Sequence, residues 1–217
     1  MMISDICLLS TKTKETAYFF PLYLYSNKGK REVNFKEEFL KAVKETLGTE
    51  PTSEEIFYYI YAVLYSPSYR KRYEEFLKID FPRIPLPSDV EKFKKLSELG
   101  KELVELHLLK HPLPDKTDVG FPKEGMNKVG KVRYDEKTKR VYFNKEQYFE
   151  GISKEVWEYK IGSCQPMEKY LKDRKGRELT LEEIEHYMKV ANAIKKTIEL
   201  CPYKVLLIFG SGKVVSS

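Results

Sequence analysis

The sequence lacks the motifs of a self-sufficient enzyme. Its three histidines are His107, His111 and His186, and none lies in a metal-ligand pair such as H-E-x-x-H. It contains no G-x-S-x-G, Walker A or G-x-G-x-x-G pattern, and the GSGK at 210–213 lacks the glycine spacing of a phosphate loop. We therefore predict no catalytic residue, no metal site and no cofactor site in this chain.

Paired cysteines and long apolar runs are also missing. Cys7, Cys164 and Cys201 are odd in number and widely separated, without the C-x-x-C spacing of a zinc site. The longest apolar run is VLLIF at 205–209, far short of the roughly 18 to 20 residues of a spanning helix. These features predict a protein of the reducing cytoplasm with no membrane partner; they say nothing of its oligomeric state.

What the sequence does contain is enough apolar residues for a core and charges of both signs. The 217 residues are 41% hydrophobic and 33% charged, with a net charge of +6. This length suits one large domain or two small ones. Because the two signs are interspersed along the chain, any basic face must be local.

Apolar spacing predicts a mostly helical first half, residues 1–110. An aromatic segment at 16–25 is typical of an edge strand, since Pro21 interrupts it. Asn34 is a plausible N-cap of a helix that stops at Gly48. Further helices are predicted after Pro51, around 69–77 and from 88 to about 110, with the proline-rich 80–87 extended between the last two.

The second half changes character after a connector at 111–127. Segments 131–134 and 140–143 predict a β-hairpin, and the alternation in 156–161 predicts a further strand. A short helix after Ser163 and a long helix after a capping box at Thr180 complete residues 128–200, and 201–217 form a tail. The predicted class is α+β: a helical subdomain beside a small twisted mixed or antiparallel sheet, with a long C-terminal helix, in one compact domain overall.

One motif raises the possibility of methyltransferase chemistry. Ser66-Pro67-Ser68-Tyr69 approximates the (Asp/Asn/Ser)-Pro-Pro-aromatic motif with which amino-methyltransferases hold a flipped base. That motif should follow a buried strand and accompany a glycine-rich methyl-donor site. A predicted helix precedes it here and no donor site is present, so we interpret it as a corner between two helices.

Positive charge is concentrated in residues 160–177. This stretch has six basic residues against Glu168 and Asp173, a net charge that suits DNA phosphates. Smaller basic groups lie near residue 70 and on the predicted hairpin. The candidate DNA contacts from charge are Lys160, Lys169, Lys172, Arg174, Lys175, Arg177, Arg70, Arg72, Arg133 and Arg140; a merely solvated surface is the alternative.

The chain resembles the C-terminal specificity domain of Type ISP restriction-modification enzymes and related adenine DNA methyltransferases. The resemblance runs from about residue 5 to 200. Its most specific stretches are 18–25, 56–73, FLKIDFPRIPLP at 76–87, LSELGKELVELHLL at 96–109, 156–161 and 169–187. In such enzymes a methyltransferase core that uses S-adenosylmethionine precedes this region, and the motifs of that core are absent from this sequence.

The resemblance implies that residues 161–165 and the basic helix after them lie near duplex DNA, which adds Ser163 and Gln165 to the candidates. Two departures accompany it. After Gly162 the family pattern is closer to Gly-Tyr-Gln-Val followed by Lys-Trp, where this chain has Ser163-Cys164-Gln165-Pro166 and Lys169-Tyr170. Beyond Leu200 the resemblance stops, which makes 201–217 a divergent tail.

The leading hypothesis is a sequence-specific duplex DNA recognition domain that works with a methyltransferase or nuclease module encoded elsewhere. A second hypothesis is an interaction module that docks on such a partner and never touches DNA. A gene remnant without function is a third.

Overall fold

A computed structural model of the chain describes residues 20–25, 29–87, 89–110 and 118–200. They divide into two compact units, one up to Leu108 and the other Leu109–Leu200. The described residues contain two small antiparallel sheets and eight helices, of which the last is the longest. The predicted α+β class and long C-terminal helix are therefore confirmed.

The first unit is mainly helical. Its elements are β1 (Tyr23–Tyr25), β2 (Arg31–Val33), α1 (Glu37–Leu47), α2 (Ser53–Tyr65), α3 (Pro67–Arg72), α4 (Glu74–Leu77) and α5 (Val90–His107). The strands β1 and β2 pair as an antiparallel hairpin, so only the end of the predicted 16–25 strand is described. Helices α2 and α5 pack along each other and supply most of the buried side chains of this unit.

Local capping chemistry sets several helix boundaries in this unit. Thr52 and Glu55 form a reciprocal capping box at the start of α2, and Gly48 ends α1 in the left-handed conformation. The prediction for Asn34 is wrong: its amide donates to the Pro21 carbonyl at 2.9 Å, and the N-cap of α1 is Lys36. The side chain that resembled a cap instead fixes the segment before β1.

The motif at 66–69 is a corner between α2 and α3. Ser66 is buried, its hydroxyl accepts from the Tyr69 backbone N–H at 3.2 Å, and Pro67 occupies the first turn of α3. Tyr69 is also buried, and its hydroxyl donates to the Arg83 carbonyl at 2.8 Å, in the extended proline-rich segment. These contacts occupy the serine and the tyrosine in packing.

The second unit is built on a three-stranded antiparallel sheet. Its elements are β3 (Arg133–Asp135), β4 (Arg140–Tyr142), β5 (Tyr148–Phe149), α6 (Lys154–Trp157), α7 (Pro166–Lys172) and α8 (Leu181–Leu200). The strand order is β3-β4-β5, and Tyr134 pairs with Val141, which pairs with Phe149. The predicted hairpin is thus confirmed, whereas β5 was not predicted.

One face of this sheet and the helices enclose an apolar core. Val141, Phe149, Leu171 and Tyr187 have essentially no exposed surface. Val119 belongs to the same core, and Gly120 exchanges two backbone hydrogen bonds with Glu150. The last part of the predicted connector, from residue 118, is therefore packed into this unit; 111–117 lie outside the described residues.

The predicted strand at 156–161 is wrong. Ser153 accepts from the Val156 N–H and starts the short helix α6, in which the adjacent Val156 and Trp157 are both buried. Two successive side chains can share one buried face of a helical turn but not of a strand, whose faces alternate. Only Ile161, at the end of the segment, makes a β-bridge, and its partner is Cys164.

Candidate DNA-contacting surface

Residues 161–164 form a tight turn that exposes Ser163. Ile161 and Cys164 exchange backbone hydrogen bonds of 2.8 and 3.1 Å, which leaves two residues between them. Gly162 has a φ of 60° and Ser163 a negative φ, the pattern of a type II′ turn that requires glycine at its first central position. Ser163 and the nearby Lys160 are exposed, and Lys160 has no ion pair with a described residue.

Gln165 has a structural partner beneath this turn. Its Nε2 donates to the Trp157 carbonyl at 2.6 Å, and its own position is the N-cap of α7. The amide therefore connects the end of α6 to the start of α7. Gln165 therefore fixes the position of the 161–164 turn.

The lysines of α7 form ion pairs along the helix. Lys169 lies 2.7 Å from Asp173, and Lys172 lies 2.9 Å from Glu168, each pair at i, i+4 spacing. The Asp173 carboxylate raises the pKa of Lys169 above its usual value, chiefly through this hydrogen bond. Such exposed pairs contribute little to stability, so a phosphate could replace either carboxylate at small cost.

Arg174 and Arg177 share the carboxylate of Glu183. Glu183 Oε1 accepts from Arg174 Nε at 3.0 Å and from Arg177 Nη2 at 2.6 Å, and Oε2 accepts from the Thr180 N–H at 3.1 Å. The Arg177 hydrogen bond and the Thr180 backbone, followed by Arg174, lower the pKa of Glu183 to about 2. The predicted capping box at Thr180 is confirmed, and its glutamate also binds both arginines of the loop at 174–178, which we call the basic loop.

The two arginines differ in exposure. The Arg174 guanidinium lies 3.6 Å from the Tyr170 ring centroid and donates to the Tyr170 carbonyl at 3.0 Å, leaving 24% of the side chain exposed. The Arg177 side chain is 53% exposed. Arg174 is thus packed into the unit, whereas Arg177 faces outward.

Backbone pairing joins the basic loop to a distant segment. Val129 N donates to the Arg177 carbonyl at 2.9 Å, Gly176 N donates to the Val129 carbonyl at 2.7 Å, and Leu179 N donates to the Asn127 carbonyl at 2.9 Å. We call residues 123–131 together with 174–178 the basic loop pair. It carries Lys123, Lys128, Lys131, Arg174, Lys175 and Arg177 against Glu124 and Glu178.

Three lysines of this loop pair are open to solvent. Lys128, Lys131 and Lys175 are exposed, and none of them forms an ion pair with a residue in the described ranges. Lys123, by contrast, lies 3.6 Å from Glu146. Backbone pairing sets Lys128 opposite Glu178, the residue after the predicted Arg177, so Lys128 belongs to the same loop pair as the predicted Lys175 and Arg177. Sequence reasoning missed it, although lysines at 123, 128 and 131 alternate with turn residues.

The hairpin candidates lie on the outer face of the β3-β4-β5 sheet. The Arg133 guanidinium is 4.4 Å from the Tyr142 ring, and the Arg140 guanidinium is 4.2 Å from the Tyr148 ring. Arg140 also pairs with Glu150 at 3.3 Å. Both arginines cover aromatic rings, so packing is part of their role whatever else they contact.

Arg70 and Arg72 belong to the first unit, on α3. Arg70 donates to the Tyr65 carbonyl at 3.0 Å, and Arg72 lies 5.7 Å from the Tyr73 ring. Both residues are exposed. Their role in DNA binding stays a prediction, as it does for the candidates of the second unit.

Neither a metal site nor a membrane span is found in the part of the chain that the structure describes. No three His, Cys, Asp or Glu side chains there gather as metal ligands would. No helix among those residues combines the length and the apolar character needed to cross a bilayer.

Comparison with known families identifies the chain. Residues 1–202 match the family model of the Type ISP C-terminal specificity domain. The chain belongs to this family. The resemblance found in the sequence is thereby confirmed over residues 1–202 of the 217-residue chain.

Solved structures share the fold of this specificity domain. A DrdV–DNA complex studied by cryo-electron microscopy superposes with a TM-score of 0.65 at 24% identity, covering 83% of this chain and 21% of that one. A nuclease-deletion mutant of the Type ISP enzyme LlaGI with a DNA substrate mimic gives 0.62 at 22% identity, covering 90% and 18%. DNA-bound LlaBIII, an ATP-dependent Type ISP enzyme, gives 0.64 at 19% identity, covering 89% and 13%.

The chain thus spans about a fifth or less of these structural relatives, each of which is a DNA complex. No match was found among curated proteins.

Proposed function

We propose that this specificity domain recognises a short duplex DNA sequence and positions a separate methyltransferase or nuclease module on it. The observation that carries the proposal is the basic loop pair. Backbone pairing sets Lys128 opposite Glu178 and bonds Val129 to Gly176 and Arg177, so Lys128 belongs to the same loop pair as Lys175 and Arg177. Six Lys and Arg residues against two Glu in fourteen positions give the local positive potential that phosphates need. The DNA-bound relatives of the same fold support the assignment.

The proposed division of labour follows from the exposure of the side chains. Lys128, Lys175 and Arg177 neutralise phosphates, because their charged ends are exposed. Ser163 on the type II′ turn and Lys160 just before it also approach the duplex, where a serine hydroxyl can donate to or accept from a base edge. Gln165, Arg174 and Glu183 hold these groups in place.

The methyl donor S-adenosylmethionine would bind in the partner module. The sequence offers no glycine-rich methyl-donor motif, and serine and tyrosine of the 66–69 motif are packed at a helix corner. In this proposal the chain contributes recognition and leaves the chemistry to its partner. Co-purification of a methyltransferase module with the tagged chain would support that arrangement.

Selection from a random duplex library tests the recognition function. The purified chain should enrich a short sequence, and its affinity should fall as salt rises. Replacing Lys128 and Lys175 by Gln should reduce the slope of log affinity against log salt by about 1 to 2. The matched control replaces Lys137 and Lys189, exposed lysines at the hairpin turn and on α8, and should leave the slope unchanged. No binding to any duplex at low salt would overturn the proposal.

A further inference from the structure

An apolar side chain projects from the first loop of the basic loop pair. Met126 is 74% exposed, and the residues that flank its loop are the basic Lys123 and Lys128. Single exposed apolar residues are common on protein surfaces. What distinguishes Met126 is the rigidity of the backbone that presents it.

A buried glutamine fixes this loop. Gln147 is 3% exposed, and its Nε2 donates to the Lys123 carbonyl at 3.1 Å and to Asn127 Oδ1 at 2.7 Å. Its Oε1 accepts from the Asn127 N–H at 2.9 Å and from Asn144 Nδ2 at 3.0 Å. Both donors and both acceptors of the amide are used, so the ends of the 123–127 loop are held by one side chain.

Two backbone features tighten the loop further. A Cβ on Gly125 would lie 2.9 Å from the Gln147 Cδ, so the glycine lets the loop rest on the amide. Asn127 has a φ of 54°, in the left-handed region that asparagine tolerates better than most residues. Between these two positions the loop has little freedom, and Met126 is held out to solvent rather than folded onto the core.

The position of the loop indicates what Met126 would meet. Asn127 accepts from Leu179, and residues 128–129 pair with 176–178, so Met126 stands at the end of the surface proposed to bind phosphates. A duplex bound there would place bases within the reach of a long side chain at this edge. Apolar side chains read thymine methyl groups in the major groove or insert between base steps, and neither contact requires charge.

We propose that Met126 is a specificity-determining residue that makes apolar contact with bases of the bound duplex, with Gln147 as its positioning residue. This inference rests on the proposed DNA recognition function. An uncharged contact of this kind discriminates among sequences and contributes little to binding of random DNA, whereas the lysines of the loop pair do the reverse.

The test compares sequence preference and random-duplex affinity for four proteins. The wild-type chain first selects its preferred duplex from a random library. Met126→Ala should then lose roughly 5- to 100-fold preference at one or two adjacent base pairs, with random-duplex affinity unchanged, and Met126→Leu should restore most of it. Leu181→Ala, which shortens a side chain that is also 74% exposed in the same unit, should behave as wild type.

The outcomes distinguish a failure of the Met126 role from a failure of the DNA recognition function on which it rests. If the wild type selects no sequence, the recognition function itself fails. If the wild type selects one and Met126→Ala keeps the same preference, or weakens all duplexes equally, the role of Met126 is wrong while recognition stands. An equal change in Leu181→Ala would also overturn it.

The positioning role of Gln147 has its own variant. Gly125→Ala adds a methyl group against the Gln147 amide and leaves the exposed surface otherwise intact. At a temperature well below its unfolding midpoint, it should relax the same base positions as Met126→Ala while random-duplex affinity stays close to the wild-type value. A normal sequence preference in Gly125→Ala would rule out positioning through this contact.

Discussion

Arg177 donates two hydrogen bonds to the Glu183 carboxylate, from Nη2 to Oε1 at 2.6 Å and from Nη1 to Oε2 at 3.3 Å. The most exposed arginine of the basic loop pair is therefore held by a carboxylate that also caps α8. A planar, bidentate pair of this kind fixes the orientation of the guanidinium as well as its distance from the carboxylate. The same fork is the one that arginine uses on a phosphate, so bound DNA would compete with Glu183 for Arg177.

Neutralising that carboxylate should strengthen non-specific DNA binding. In Glu183→Gln the amide oxygen can still accept from the Thr180 N–H, so the helix cap remains while one negative charge disappears. We expect random-duplex affinity at low salt to rise about three- to tenfold, with a steeper salt dependence. Fluorescence anisotropy across a salt series measures both. Glu185→Gln, an exposed glutamate two residues along α8, is the matched control and should change neither.

The same carboxylate should make stability depend on pH. Arg177, Thr180 and Arg174 lower the pKa of Glu183 from 4.5 to about 2 in the folded chain. The unfolded chain therefore binds a proton at this group at higher pH than the folded chain does, and the stabilisation, complete above about 4.5, is lost as the pH falls toward 2. Urea unfolding at pH 7, 4, 3 and 2 should show a smaller loss for Glu183→Gln than for wild type. Parallel curves for the two proteins would contradict the pKa shift.

Short-range chemistry was accessible from the sequence. The Thr180 capping box, the Gly48 stop and the 131–143 hairpin each depend on residues within a few positions of one another, and the structure confirms all three. The strand predicted at 156–161 is wrong because its apolar residues fit the periodicity of a helix as well as that of a strand. Ser153 decided the outcome by capping a helical turn three residues before Val156.

Long-range pairing was not accessible in the same way. The partner of the basic loop, residues 127–129, lies almost fifty positions earlier in the chain, and no local pattern specifies that register. The basic residues at 160–177 can be read directly from the sequence, but Glu183, which pairs with Arg174 and Arg177, was interpreted only as a cap. Composition locates a basic segment; it does not tell which cations are packed, like Arg174, and which are exposed, like Lys175.

Tyr187 supplies a prediction about the core of the second unit. Its ring is fully buried against Phe149 at 4.3 Å between centroids, and its hydroxyl has no hydrogen-bond partner among the described residues. Burial raises the pKa of this phenol well above its usual value. Because an unsatisfied buried hydroxyl costs about 1 to 3 kcal/mol, Tyr187→Phe should leave the free energy of unfolding unchanged or raise it. Urea denaturation measures the difference, and a clear loss of stability would show that the hydroxyl has a partner.

Replacing each of the two arginines that share Glu183 by methionine, which keeps much of the aliphatic length, should change the free energy of unfolding by different amounts. Arg174→Met removes a guanidinium 3.6 Å from the Tyr170 ring together with the hydrogen bond to the Tyr170 carbonyl. We expect it to lower the free energy of unfolding by about 1 to 2 kcal/mol. Arg177→Met removes an ion pair whose arginine is 53% exposed, while Arg174 and the Thr180 N–H still donate to the Glu183 carboxylate, so it should cost only about 1 kcal/mol.

The effects of the same two substitutions on DNA binding should differ from their effects on stability. Arg177→Met should reduce the salt slope by about 1, because one phosphate contact is lost while the unit stays folded. Arg174→Met should weaken binding mainly at temperatures near its lowered unfolding midpoint, since its guanidinium is packed against Tyr170 rather than presented to solvent. Anisotropy titrations at 10 °C and 30 °C with unfolding curves for each variant distinguish the two causes. Equal destabilisation by both substitutions would mean that Arg177 is as structural as Arg174, and the exposed phosphate contacts would then be left to Lys128 and Lys175.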